Sequence, residues 1–118
     1  MHEEELLQTL CVNWYKAHTQ PSAWPLLIHV PNERKCSKQR GAMLRGMGVT
    51  AGVADLIFFR PNQKHHALCV ELKTPTGRQR ESQKTWQNAV EGNGYKYVIC
   101  RTLDEFALIM QKYIANEI

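Results

Sequence analysis

Residues 53–74 read VADLIFFRPNQKHHALCVELKT, and their interpretation decides the fold. The stretch holds two apolar runs, and each contains charge that a buried strand normally excludes: Asp55 in the first, Glu71 and Lys73 in the second. Residues 53–59 predict a buried strand, RPNQKHH a connecting turn, and 67–73 its antiparallel partner. The two-residue period of a strand puts Glu71 and Lys73 on one face, Cα atoms about 6.5 to 7 Å apart, and sends Leu72 to the other, into the core. Antiparallel pairing then brings Asp55, early in the first strand, beside Glu71 near one end of the sheet.

Outward from this pair, helices and strands alternate. Upstream, Leu6, Leu7, Leu10, Cys11, Trp14 and Tyr15 recur at three- and four-residue intervals, predicting one face of a helix over residues 3–18. PLLIHV, residues 25–30, is short, apolar and bounded by proline, as a strand would be. The Gly-rich, basic segment 31–52 reads as a loop with a short helical turn around residues 38–44. Downstream, residues 81–90 carry helical spacing through Trp86, Ala89 and Val90, with Gly92 and Gly94 as the stop. YKYVIC is a further strand, and Thr102 with Glu105 forms a capping box that opens a last helix bearing Phe106, Ile109, Met110, Tyr113 and Ile114. The fold class expected is α/β, a mixed central sheet flanked by helices.

Length and composition bound the rest. At 118 residues, 43% of them hydrophobic and 22% charged, the chain is expected to form one folded domain over residues 1–118. No apolar run approaches the roughly 20 residues needed to span a bilayer, and the acidic start MHEEELLQTL does not resemble an export signal. A cytoplasmic location is expected, and Cys11, Cys36, Cys69 and Cys100, irregularly spaced and without a CxxC pair, read there as small hydrophobes. The net charge is +4, and its distribution says more than its sum. Arg34, Lys35, Lys38, Arg40 and Arg45 form one basic group with no acid between them, and Lys73, Arg78, Arg80 and Lys84 a second broken only by Glu81. Together they lean toward nucleic acid, although basic loops are often only solvated surface.

Two buried carboxylates repel one another and need a compensating cation. With oxygen donors and no His or Cys at ligand spacing, a divalent metal at this place would be Mg²⁺, with Mn²⁺ as a substitute. The same residues also fit an ordinary Glu71–Lys73 ion pair at a sheet edge, with Asp55 capping a turn.

The pattern of Asp55, fifteen residues, then Glu71-x-Lys73, set among apolar strand residues, resembles the PD-(D/E)xK nuclease superfamily. Within it the chain is similar to the VRR-NUC (virus-type replication-repair nuclease) family. The segments that carry this are HVPNER at 29–34, GVTAGVADLIFF at 48–59, VELKTPTGRQRESQKTW at 70–86, and Gly94-Tyr95 before the last strand. Ala54 stands where the signature has proline. The resemblance implies a restriction-endonuclease-like fold and makes Asp55, Glu71 and the backbone carbonyl of Leu72 metal ligands. It makes Lys73 the residue that orients or activates water and steadies phosphate charge. Gln83 matches the glutamine that follows the signature. An acid of the first helix usually completes such sites, and the E-x-x-x-Q spacing to Gln8 favours Glu4, with Glu3 and Glu5 as the alternatives.

The resemblance also implies a metal-dependent DNA endonuclease of replication, recombination or repair. Small stand-alone members look phage or bacterial, and look like homodimers that cut branched DNA such as Holliday junctions. A restriction-like or nicking nuclease on linear DNA, an RNA nuclease, and a noncatalytic DNA-binding module are the rival readings. Asn32, Arg34, Lys35, Lys38, Arg40, Arg45, Arg78 and Arg80 are the expected DNA contacts. His65 and His66 read as turn residues, and His29 as an indirect support of the site. Gly46, Gly48 and Gly52 are not a dinucleotide fingerprint; they would let the chain approach DNA or turn tightly before Val53. Trp14, Trp24 and Trp86 read as core. No Walker-type loop is present, so no nucleotide cofactor is expected.

Overall fold

The computed structural model describes residues 2–31 and 37–118. Asn32, Arg34 and Lys35, three of the expected DNA contacts, and Cys36 lie outside the described residues. Helix α1, Glu3–His18, follows the predicted span, and Leu7, Cys11, Trp14 and Tyr15 turn inward. Leu6 and Leu10 do not: both are exposed, so the apolar stripe is narrower than the spacing suggested. A 3-10 helix, Pro21–Leu26, takes the first two residues of the expected first strand and leaves β1 only Leu27–His29. Pro25 fixes φ and lacks an N–H, which suits a tight helical turn and not a sheet ladder.

The segment read as a loop contains α2, Lys38–Gly46, nine residues opened by Ser37, whose Oγ accepts the Arg40 N–H at 3.1 Å. Strands β2, Leu56–Phe58, and β3, Leu68–Leu72, are the predicted antiparallel pair, in the register Leu56–Val70 and Phe58–Leu68. Helix α3, Glu81–Glu91, crosses to β4, Lys96–Cys100, which lies parallel to β3. Helix α4, Leu103–Ile114, closes the fold. Its predicted capping box is half realised. Thr102 Oγ1 accepts the Glu105 N–H at 3.1 Å, but the Glu105 carboxylate takes the N–H of Arg101 rather than that of Thr102.

The sheet order β1-β2-β3-β4 puts β3 in the interior, and its alternation creates two cores. Leu68, Val70 and Leu72, with Leu56 and Phe58 of β2, pack on Cys11 and Tyr15 of α1 and on Phe106, Met110 and Tyr113 of α4. On the opposite face Cys69, Tyr97 and Ala54 pack with Trp86 and Val90 of α3. Trp24 belongs to neither core: it is 38% exposed, with Lys16 Nζ 5.6 Å above its ring. Its side chain sits on a short surface helix, where neighbouring prolines set the local path. Among the described residues no helix is long and apolar enough to cross a membrane.

Candidate active site

The α3-facing side of β3 carries Cys69 and then Glu71, with Lys73 just beyond the strand's end. Glu71 is 1% exposed and Lys73 5%, and Lys73 Nζ stands 3.8 Å from Glu71 Oε2. That oxygen also accepts the Nε2–H of Gln83 at 2.9 Å. Gln83 is itself buried, and its Oε1 accepts the backbone N–H of Arg80 at 2.8 Å. These two partners fix which way the amide points. One side chain thereby closes the first turn of α3 and ties that helix to the carboxylate.

A glycine makes this approach feasible. Gly52 has φ +86°, and a Cβ built there would stand 2.1 Å from the carbonyl oxygen of Ser82 and 2.8 Å from the Gln83 nitrogen. Both neighbours are backbone, so any side chain would force the segment off α3. The close approach expected of this glycine is therefore to the protein's own helix, and the tight turn before Val53 is present.

Antiparallel register extends past β2 to bring Asp55 beside Glu71. Asp55 Oδ2 accepts the Leu72 N–H at 2.8 Å, continuing the ladder with a side chain where the β2 backbone has left it. N–H and C=O of one strand residue face the same edge, so the Leu72 carbonyl emerges beside Asp55. The backbone carbonyl of Asp55 is held in turn by the Val30 N–H at 3.1 Å and by His29 Nδ1 at 2.8 Å. A carbonyl only accepts, so Nδ1 carries the proton. His29 thus supports Asp55 from the end of β1.

Burial pushes the Glu71 carboxyl up to about 8, the adjacent Asp55 adds to the rise, Lys73 opposes it, and Glu4 on α1 raises it slightly further. Oε1 of Glu71 is buried with no hydrogen-bond partner. An orphaned, buried carboxylate oxygen beside a second carboxylate is costly unless something positive completes it. Among the described residues no three or more His, Cys, Asp or Glu side chains are clustered so as to hold a metal ion by themselves. Two carboxylates and a strand carbonyl do fit Mg²⁺, which keeps several waters and is commonly held by one or two carboxylates together with substrate phosphate.

The structure therefore brings together Asp55, Glu71, Lys73 and Gln83, with Glu4 near enough to act on Glu71 electrostatically. Arg78 and Arg80 are exposed on the approach to α3, next to this cluster in the chain. Lys38, Arg40 and Arg45 lie on α2. His65 and His66 are turn residues: His65 stacks on Tyr113, and His66 packs on Tyr95 and against Gly94.

Sequence reasoning did not reach Arg101. Its guanidinium donates to the carbonyls of Thr74 and Gly77, at 2.7 Å each, and clamps the loop that leaves Lys73. An arginine directly after a predicted strand is the only sequence signal for it.

Known proteins bear on this geometry in three ways. No curated protein matches the chain. A solved structure described as a VRR_NUC domain protein is similar to it, with a TM-score of 0.84 and 25% identity over 98% of this chain and 90% of that one. The family model for the VRR-NUC domain matches residues 2–103. Because that match takes in Asp55, Glu71, Lys73 and Gln83 and the whole β-sheet that carries them, the chain belongs to the VRR-NUC family of nucleases.

Proposed function

We propose that the protein is a metal-dependent DNA endonuclease, hydrolysing phosphodiester bonds at Asp55, Glu71 and Lys73, and that it acts on branched DNA such as Holliday junctions in replication, recombination or repair. The observation that carries this reading is the buried Glu71 carboxylate, its Oε1 unpartnered, between Asp55 and Lys73. Asp55, Glu71 and the Leu72 carbonyl would hold Mg²⁺ or Mn²⁺, with Glu4 contributing from α1. When bound, such an ion supplies a nucleophilic water near neutral pH and counter-charge for the phosphate.

The chain's own residues do the positioning. Gln83 holds one oxygen of Glu71, leaving the other directed to its ligand role. The Leu72 N–H and the His29 ring hold Asp55 from two sides. Lys73, a point charge on a flexible stem, steadies the charge that develops on the phosphate and orients the attacking water. Arg78 and Arg80, with the basic residues of α2, bind the phosphate backbone beyond the scissile bond.

A homodimer follows from the chemistry of a junction. One site per subunit allows two strands to be cut, and a twofold pair matches a twofold branch. Among the described residues the buried free thiols of Cys11, Cys69 and Cys100 suit a reducing cytoplasm, that of the host if the protein is phage-encoded.

The test is cleavage of a labelled four-way junction beside matched linear duplex, single-stranded DNA and RNA, with Mg²⁺, Mn²⁺ or EDTA. Metal-dependent cutting of the junction, lost in Asp55→Ala, is expected. Equal cutting of linear duplex would replace the branched substrate with a restriction-like one. Binding without cutting under every condition would leave a noncatalytic DNA-binding module.

A further inference from the structure

Helix α2 and the turn after it carry a feature that the site chemistry does not use. Met43, Met47 and Val49 are 52%, 75% and 47% exposed, three large apolar side chains within seven residues. Met43 and Met47 are one helical turn apart and share a face. Buried Gly41 and half-buried Leu44 mark the inward side of α2, and the methionines lie away from it. The tip is shaped, not frayed: the Met47 N–H reaches the carbonyls of Met43 and Leu44, Gly48 turns the chain with φ +103°, and the Val49 N–H returns to the Leu44 carbonyl at 2.9 Å.

Two observations say what this face meets. From Ser37 to Ala54 the chain has three basic residues, Lys38, Arg40 and Arg45, and no acidic one, so an apolar tip is set in a wholly cationic segment. That complements a polyanion with apolar surface to offer, as DNA does where its bases unstack. The tip is also tied to the site. Met47 is five residues from Gly52, whose backbone is wedged against Ser82 and Gln83 of α3. Five residues span at most about 18 Å, well within the ~34 Å of one duplex turn.

We infer that Met43, Met47 and Val49 form an apolar wedge that enters the stack at a branch or kink of the DNA, with Arg40, one turn before Met43 on the same side of α2, directed to a flanking phosphate. This deepens the nuclease reading and rests on it. It makes opened base steps, rather than sequence, the feature that selects substrate. Unstacking costs least where pairing is already interrupted, so the wedge favours junctions over intact duplex.

The experiment uses a four-way junction with 2-aminopurine at the branch, in Ca²⁺, and compares wild type with Met43→Ala/Met47→Ala and with Arg78→Ala/Arg80→Ala. Wild type should bind and raise the fluorescence as the base leaves the stack. The methionine variant, its melting temperature unchanged, should bind the junction about tenfold more weakly and duplex equally well, with the fluorescence rise abolished. The arginine variant should bind more weakly on both DNAs yet still unstack the base. Wild-type fluorescence and affinity in the methionine variant, with cutting in Mn²⁺ intact, would overturn the wedge alone. Failure of wild type to bind or cut any DNA would overturn the nuclease reading and the wedge with it. Conversion of a wild-type dimer to monomer by the methionine substitutions, seen by sedimentation, would make this face a subunit contact and also overturn the wedge.

Discussion

On one face of β3, Leu68, Val70 and Leu72 lie against α1 and α4; on the other, Cys69 and Glu71 run out to Lys73 under α3, and all six are at least 95% buried. The apolar face is complete in itself, since its side chains need only neighbours of the right shape. The charged face is incomplete, holding a carboxyl whose ionisation burial opposes and an oxygen with no partner. Equal burial therefore hides opposite energetics. One face stabilises the fold, and the other costs stability that only a bound cation or a function would justify.

The comparison can be broken at its apolar side first. Leu72→Ala leaves a cavity between the sheet and α1/α4 and is expected to cost about 2–5 kcal/mol of unfolding free energy, read by urea denaturation. A cost below about 1 kcal/mol would mean that this face is not the principal core.

The charged side is sharpened by pH. In EDTA the folded protein holds a proton on Glu71 up to about 8, whereas an ordinary glutamate in the unfolded chain releases it near 4.5. Between those values the native state binds more protons, so the Glu71 contribution to stability falls as pH rises through the window and is flat above it. Glu71→Gln should remove that part of the fall, so that the variant gains on wild type from pH 5 to pH 8. Parallel stability–pH curves would show that Glu71 ionises without penalty.

The smallest expected effect lies at the edge of the charged face. Arg101→Ala removes the clamp on the loop after Lys73 and should cost about 1–2 kcal/mol, with faster proteolysis at residues 74–77. Unchanged proteolysis would make Arg101 an ornament of the surface.

Much of this was legible in the sequence because it depends on local period. Alternation in residues 67–73 separates Leu72 from Glu71, and the apolar runs around Asp55 and Glu71 imply the antiparallel pairing that joins them. Lys73 was visible in the same alternation, and Gln83, singled out through the resemblance, lies against Glu71. His29 was read as a support of the site, though not its bond to the Asp55 carbonyl; what was not legible depends on tertiary approach, the Gly52 backbone against Ser82 and Arg101 reaching back across the loop. Helix α2 was underread because glycines at 41, 46 and 48 break its periodicity, although Ser37 was a visible cap. Trp24 was placed in the core by its spacing, whereas the 3-10 turn around Pro25 carries it to the surface.

Under the proposed function, the charged face of β3 binds a divalent cation. The most direct test is Mn²⁺ binding by wild type and Glu71→Gln, followed by the electron paramagnetic resonance signal of the free ion, with the fold of each checked by circular dichroism. Wild type should bind, and the variant should bind at least about tenfold more weakly. Equal binding by both, or none by wild type even with junction DNA present, would contradict this reading.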